Sequence, residues 1–191
     1  MKSYVINLDR RPERWYVVRE HLHDMGISVV RFSGIEGGWR GCRDSHLAVL
    51  SMAKDEEMFA VYEDDVEFVG QMTDVCYCLS QLPKEWDCLY LGGSPQEPQL
   101  KYSDNLYKAN NVICAHAIMW HNRRGGAVEY ILAHRNEIQK IDVFLAKAIQ
   151  PFFNCFLAYP MITIQRVTNT SDTCKRSDVS TIIKNYDKYV Y

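Results

Sequence analysis

The run Met58-Phe-Ala-Val-Tyr62 is apolar at every position, and Glu63-Asp64-Asp65 follow it without a spacer. A strand with one wet face alternates apolar and polar residues; one with no alternation is covered on both faces. That requires helices on either side of a sheet, hence an α/β fold with much of the chain spent on crossovers. It also fixes where the carboxylates stand. They follow the carboxyl end of a buried strand, and in open α/β sheets ligands bind in the crevice outside those ends.

The remaining pattern agrees. Tyr4 to Leu8 reads as a short buried strand. A helix follows with Pro12 in its first turn, Trp15, Val18, Leu22 and Met25 on one face, and Gly26 as its stop. Ile27 to Phe32 reads as a strand, Cys42 to Lys54 as a helix with Leu47 and Leu50 inward, Met72 to Leu82 as a helix, and Asp87 to Leu91 as a strand stopped by Gly92-Gly93. Val112 to Trp120 reads as one strand, Gly125 to His134 and Asp142 to Ile149 as helices, and Cys155 to Tyr159 and Met161 to Gln165 as strands about Pro160. Val179, Ile182, Ile183 and Tyr186 form a last helical stripe. No repeat, linker or low-complexity segment interrupts the 191 residues, so the chain reads as one domain, residues 1–191. The alternation predicts a mostly parallel sheet with helices on both faces.

Composition excludes several classes. Twenty-two basic against 24 acidic residues give a net charge of −2, which argues against a general nucleic-acid binder. The uncharged run Ala148 to Gln165 is broken by Pro151 and Pro160 and carries Gln150 and Asn154, so no transmembrane segment is expected. The apolar start is too short for a signal peptide. With seven cysteines, an odd number, and no Cys-x-x-Cys, reduced thiols and a cytoplasmic location are the expectation.

Two segments carry candidate chemistry. Residues two apart on an extended segment point the same way, so Glu63 and Asp65 can converge on one ion. Clustered carboxylates repel unless a cation or water neutralises them, and oxygen ligands suit Mg²⁺ or Mn²⁺. A solvated acidic turn is the plain alternative. The second segment, Asn7-Leu8-Asp9-Arg10-Arg11-Pro12-Glu13-Arg14, passes from strand to turn to helix start, a place suited to a nucleotide and its phosphates. Asn7 and Asp9 can bond a base or ribose, and Arg10 or Arg14 can offset phosphate charge. A capped helix start with surface arginines is the alternative. No glycine-rich phosphate loop is present. His21 and His23, two apart on a helix, make a poor metal pair. His46 lies near a helix start, and Cys76 and Cys78 read as core.

Taken together, three motifs resemble glycosyltransferase family 25, the lipopolysaccharide and collagen galactosyltransferase group. They are Tyr-Val-Ile-Asn-Leu-Asp-Arg-Arg-Pro-Glu-Arg-Trp (4–15), Gly-Cys-Arg-Asp-Ser-His-Leu (41–47) and Val-Tyr-Glu-Asp-Asp-Val (61–66). Looser segments follow in the family's order: Ala115-His-Ala117, Ile141-Asp-Val-Phe-Leu145, and Pro160 through Gln165 to Ser171-Asp172. The chain departs at Trp120-His-Asn-Arg-Arg-Gly-Gly, where members usually show a short Ser-Arg-x-Gly-Ala turn. The resemblance implies a GT-A fold, a nucleotide-sugar donor, UDP-linked by expectation, a glycan or glycoprotein acceptor, and Mn²⁺ or Mg²⁺. It implies metal ligation by Glu63, Asp64, Asp65 and Asp172, with Asp65 the foremost. Asn7, Leu8, Asp9, Arg10, Arg14, His46, Asp64 and Gln165 are the implied donor-site residues. Asp142 is the implied base on the acceptor hydroxyl, with helix capping as its alternative role.

Overall fold

The structure, a computed structural model, describes residues 1–166. Asp172, Ser171 and the stripe Val179 to Tyr186 lie outside the described residues.

The chain runs β1 (Lys2–Asn7), α1 (Pro12–Asp24), β2 (Val30–Ser33), α2 (Trp39–Met52), β3 (Met58–Glu63), β4 (Val66–Phe68), α3 (Met72–Gln81) and β5 (Cys88–Tyr90). It continues with β6 (Ser94–Pro95), β7 (Leu100–Lys101), β8 (Leu106–Lys108), β9 (Val112–Ile113), β10 (Ala117–His121) and α4 (Ala127–Ala133). Last come α5 (Ile141–Phe144), which continues as a π-helical turn over Leu145–Ile149, then β11 (Cys155–Ala158) and β12 (Thr163–Gln165).

The main sheet has eight strands in the order β2-β1-β3-β10-β5-β11-β8-β7. β1 pairs in parallel with β2 and β3, and β5 with β11. β10 lies antiparallel between β3 and β5, so these share one direction across it. β8 is the other reversed strand. The sheet is mixed, with most strands running one way, as the alternation predicts.

Period-two alternation divides the core. Tyr4, Ile6, Phe59, Val61, Cys88, Tyr90, Ile118 and Trp120 point to one face and meet α2, α4 and α5 through Val49, Leu50, Val128, Ile131 and Ile141. Val5, Ala60, Tyr62, Leu89, Met119 and Phe156 point to the other and meet α1 and α3 through Val18, Leu22, Val75 and Cys78. Phe59, Ala60 and Val61 have no exposed surface. The apolar run is therefore covered on both sides.

Three expectations are corrected. The strand read over Val112 to Trp120 is two strands, β9 and β10, because Cys114 takes a left-handed conformation at φ 71° and breaks it. α2 begins at Trp39, before the expected Cys42. Cys76 is exposed, and only Cys78 of that pair is core. Among the described residues, no helix is long and apolar enough to cross a membrane.

Candidate active site

The carboxyl ends of β1, β2, β3 and β5 lie at one edge of the sheet, together with the start of β10. A cleft opens there, walled by Leu8, Arg14, Ile35, Cys42, Ser45, His46, Glu63, Asp64, Asp65 and Gln165. Seven residues named from the sequence thus meet in one place: Leu8, Arg14, His46, Glu63, Asp64, Asp65 and Gln165.

The three carboxylates sit in different surroundings. Asp64 accepts a 2.7 Å hydrogen bond from Asn7 Nδ2 and pairs with Arg14 Nη1 at 3.1 Å. Burial raises its pKa above the ordinary value, against the pull of Asn7 and Arg14. Glu63 Oε1 lies 2.9 Å from His46 Nε2 and accepts a weak bond from Cys42 Sγ at 3.8 Å. Burial is the largest influence and opposes its charge, but the hydrogen bond and charge of His46, with smaller help from His116 and Cys42, together hold Glu63 below the usual carboxylate range.

Asp65 is the least stabilised of the three. Its Oδ2 accepts from Gln165 Nε2 at 2.9 Å, and its buried Oδ1 has no hydrogen-bond partner. Burial first, and repulsion by Glu63 second, push its pKa up to about 7. A buried anionic oxygen without a donor is costly, and a cation beside it removes that cost. The unpartnered Asp65 oxygen could take a hard divalent ion, and Glu63, near enough to repel Asp65, is the other residue that could contribute to holding one. Asp64 is committed to Asn7 and Arg14.

Gln165 arrives through a close crossing. Thr163 N donates to Leu91 O at 3.1 Å, and a Cβ at Gly92 would stand 2.0 Å from Thr163 O. β12 then pairs with β4, with Gln165 opposite Val66. Gly41 plays a similar part under α2, where a Cβ would lie 2.0 Å from Ile35 O. That lets the loop after β2 press on the helix, where Ser45 Oγ accepts from Ile35 N at 2.8 Å.

Other named residues stand outside the cleft wall. Asn7 is buried behind it, giving Nδ2 to Asp64 and to Arg11 O and receiving Arg31 Nε on Oδ1. Its side chain braces the two strand ends. Asp9 is exposed and accepts from Ser33 Oγ and Arg31 Nη2, and these bonds, Ser33 first, hold it below its ordinary pKa. Arg10 pairs with Glu36 on the surface. Asp142 is near the cleft without lining it: its charge helps, after burial and Glu63, to raise the Cys42 thiol. Its Oδ1 accepts from Val143 N, while the cap position belongs to Lys140. His21 is structural, accepting from Phe68 N at 2.8 Å.

Cys42 was not named as a site residue by sequence reasoning. The signal was present: Cys42 and His46 are four apart on a helix, hence on one face. His116 was likewise not singled out. It is fully enclosed, its Nδ1 has no partner, and burial lowers its pKa to about 4.

No family model and no curated protein match the sequence. Among solved structures, one described as a glycosyltransferase involved in the glycosylation of the major capsid of PBCV-1 overlaps 90% of this chain and 95% of its own. The TM-score is 0.56 at 10% identity. A mannose-1-phosphate geranyltransferase from Thermus thermophilus overlaps 82% of this chain and 73% of its own at 12% identity, but its TM-score of 0.48 is too low to carry weight. The fold is a mixed α/β sheet flanked by helices, of the kind that glycosyltransferase uses.

Proposed function

We propose that this chain is a glycosyltransferase that moves a sugar from a nucleoside diphosphate donor, UDP-linked, to a hydroxyl of a glycan or glycoprotein, with Mn²⁺ or Mg²⁺ bound. The observation that carries this is Asp65: a buried carboxylate with one unpartnered oxygen, at the end of a buried strand, in a cleft that also holds Arg14. The likeness to the PBCV-1 glycosyltransferase supports the same reading at the level of fold.

The reaction needs a leaving diphosphate stabilised as it gains charge. Asp65 and Glu63 are the residues that would hold a divalent ion, which when bound supplies Lewis-acid stabilisation of that charge. Arg14, already against Asp64, stands ready to share its guanidinium with a phosphate oxygen. Gln165 holds one oxygen of the Asp65 carboxylate and leaves the other, buried oxygen without a hydrogen-bond partner. Asp142, beside the cleft, is the residue that would accept the proton of the attacking hydroxyl if the displacement is direct and inverting. Asn7 and Asp9 act from behind and beside the wall, bracing the turn rather than gripping the nucleoside.

Calorimetric titration with UDP, first in EDTA and then with Mn²⁺, tests this. Binding that appears only with Mn²⁺ is expected. Equal affinity in both would remove the ion from the proposal, and absence of transfer from radiolabelled UDP-sugars to glycan acceptors would remove the reaction.

A further inference from the structure

The metal reading of the cleft uses oxygen ligands. One wall carries a different donor set. Cys42 Sγ, His46 Nε2 and Glu63 Oε1 all lie within 4.8 Å of one another. Cys42 and His46 share a face of α2, one helical turn apart, and Glu63 ends the neighbouring β3. We propose that these three side chains form a binding site for a thiophilic divalent ion of the Zn²⁺ class, with its fourth coordination position open to the cleft.

The distances support this. Around a tetrahedral zinc, metal–ligand bonds of about 2.0–2.3 Å place the ligand atoms about 3.3–3.6 Å apart. The sulfur–oxygen separation here is 3.8 Å and the nitrogen–oxygen separation is 2.9 Å. One pair closes and the other opens by a few tenths of an ångström, a change within the reach of side-chain rotation. The donors are also of the right kinds. Thiolate and imidazole select zinc over magnesium or manganese, whereas carboxylates alone do not. Three protein ligands with an open fourth position is the pattern of a zinc site that can take water or a substrate atom. All three residues line the cleft, so an ion has a path in.

Two protons move as the bonds form: the Cys42 thiol gives its hydrogen to solvent, and the proton on His46 Nε2 leaves that nitrogen, passing to Nδ1 in a neutral ring or to solvent from a charged one. Glu63 changes partner, from the imidazole N–H to the ion. Since Glu63 is also a candidate ligand for the hard ion at Asp65, a zinc ion on Cys42 and His46 draws it away. Zn²⁺ is thereby expected to oppose Mn²⁺ in this cleft. The zinc site itself does not depend on glycosyl transfer.

Cobalt(II) is the probe. The whole chain, reduced with a phosphine and free of nucleotide, is titrated with Co²⁺. A thiolate-to-cobalt absorption in the near ultraviolet and a tetrahedral band in the visible should grow together, saturate at one ion, and vanish on adding Zn²⁺. Cys42→Ser should remove the near-ultraviolet band, and Cys76→Ser, at an exposed thiol, should leave it. His46→Gln should weaken binding by at least about tenfold, and it decides the matter if Cys42→Ser fails to fold. Absence of both bands at saturating Co²⁺, or bands unchanged in both Cys42→Ser and His46→Gln, would overturn the site and leave a hydrogen-bonded trio. Since no donor or acceptor is present, a failure of transfer activity does not bear on the result.

Discussion

Replacing Asp65 by Asn should stabilise the protein at alkaline pH in the absence of divalent ions, and the effect should reverse in acid. Below about pH 3.8, the carboxyl is neutral in both folded and unfolded chains. Between there and about 7, the folded chain keeps a proton that the unfolded chain has released, so the native state loses stability steadily as pH rises. Above about 7, both forms are ionised and the full cost is felt. Moving a carboxyl from 3.8 to about 7 sets a ceiling of about 4 kcal/mol, at about 1.4 kcal/mol for each tenfold change. Burial is the first cause, and an amide must also leave water, so about half the ceiling should be recovered. Asn can still accept from Gln165, which keeps the geometry. About 2 kcal/mol corresponds to a rise of roughly 4–8 °C in Tm for a chain of this size. The assay is thermal unfolding of both proteins in EDTA from pH 4 to pH 9. Because the amide does not titrate, the difference should sweep through the whole ceiling: the variant about 2 kcal/mol less stable near pH 4, crossing wild type between, and about 2 kcal/mol more stable above pH 7. With Mn²⁺ added, only the wild type should gain. A mutant less stable than wild type at pH 8 in EDTA would refute the claim that Asp65 is an uncompensated charge.

Three further outcomes are expected. Asp142→Asn should lower turnover by about 10²–10⁴-fold with donor Kd nearly unchanged; unchanged turnover removes it as the base, and a joint fall in donor and Mn²⁺ affinity makes it a ligand. Arg14→Met should cost about 2–3 kcal/mol in urea unfolding, since it strips a buried partner from Asp64, and adding Asp64→Asn should recover much of that; a loss under about 0.5 kcal/mol would count the pair as inert. Gly41→Ala should destabilise, although alanine ordinarily favours a helix by about 1 kcal/mol, because the new methyl meets Ile35 O; a more stable variant would show that the loop after β2 yields freely.

The sequence made the scaffold legible where one element is long enough to show its own period. Met58 to Tyr62 and the stripe Trp15, Val18, Leu22 carry their burial in their spacing. β6, β7 and β9, two residues each, are too short for any period, and they form only because partners elsewhere supply the hydrogen bonds. The reversed insertion of β10 was hidden for the same reason: an apolar strand looks alike in either direction. In the cleft, the carboxylates were visible as a group, but their separate surroundings were not. Asp64 is held by Asn7 across 57 residues of sequence and Asp65 by Gln165 across 100. Such pairings are a product of topology, and no local pattern announces them. Cys76 differs, since two residues apart on a helix already places it away from Cys78.

β10 has a consequence for how the chain is made. It is the single strand joining the block β2-β1-β3 to the block β5-β11-β8-β7. When β3 leaves the ribosome, its outer edge has no partner until Ala117–His121 emerge. At about 5–20 residues per second, that wait lasts several seconds. Throughout it, an apolar strand exposes a row of unpaired amides and carbonyls, the condition that invites edge-to-edge association. The nascent amino-terminal half is thus a natural client for a ribosome-associated chaperone. Fragments ending before residue 117 should precipitate where the longer chain stays in solution.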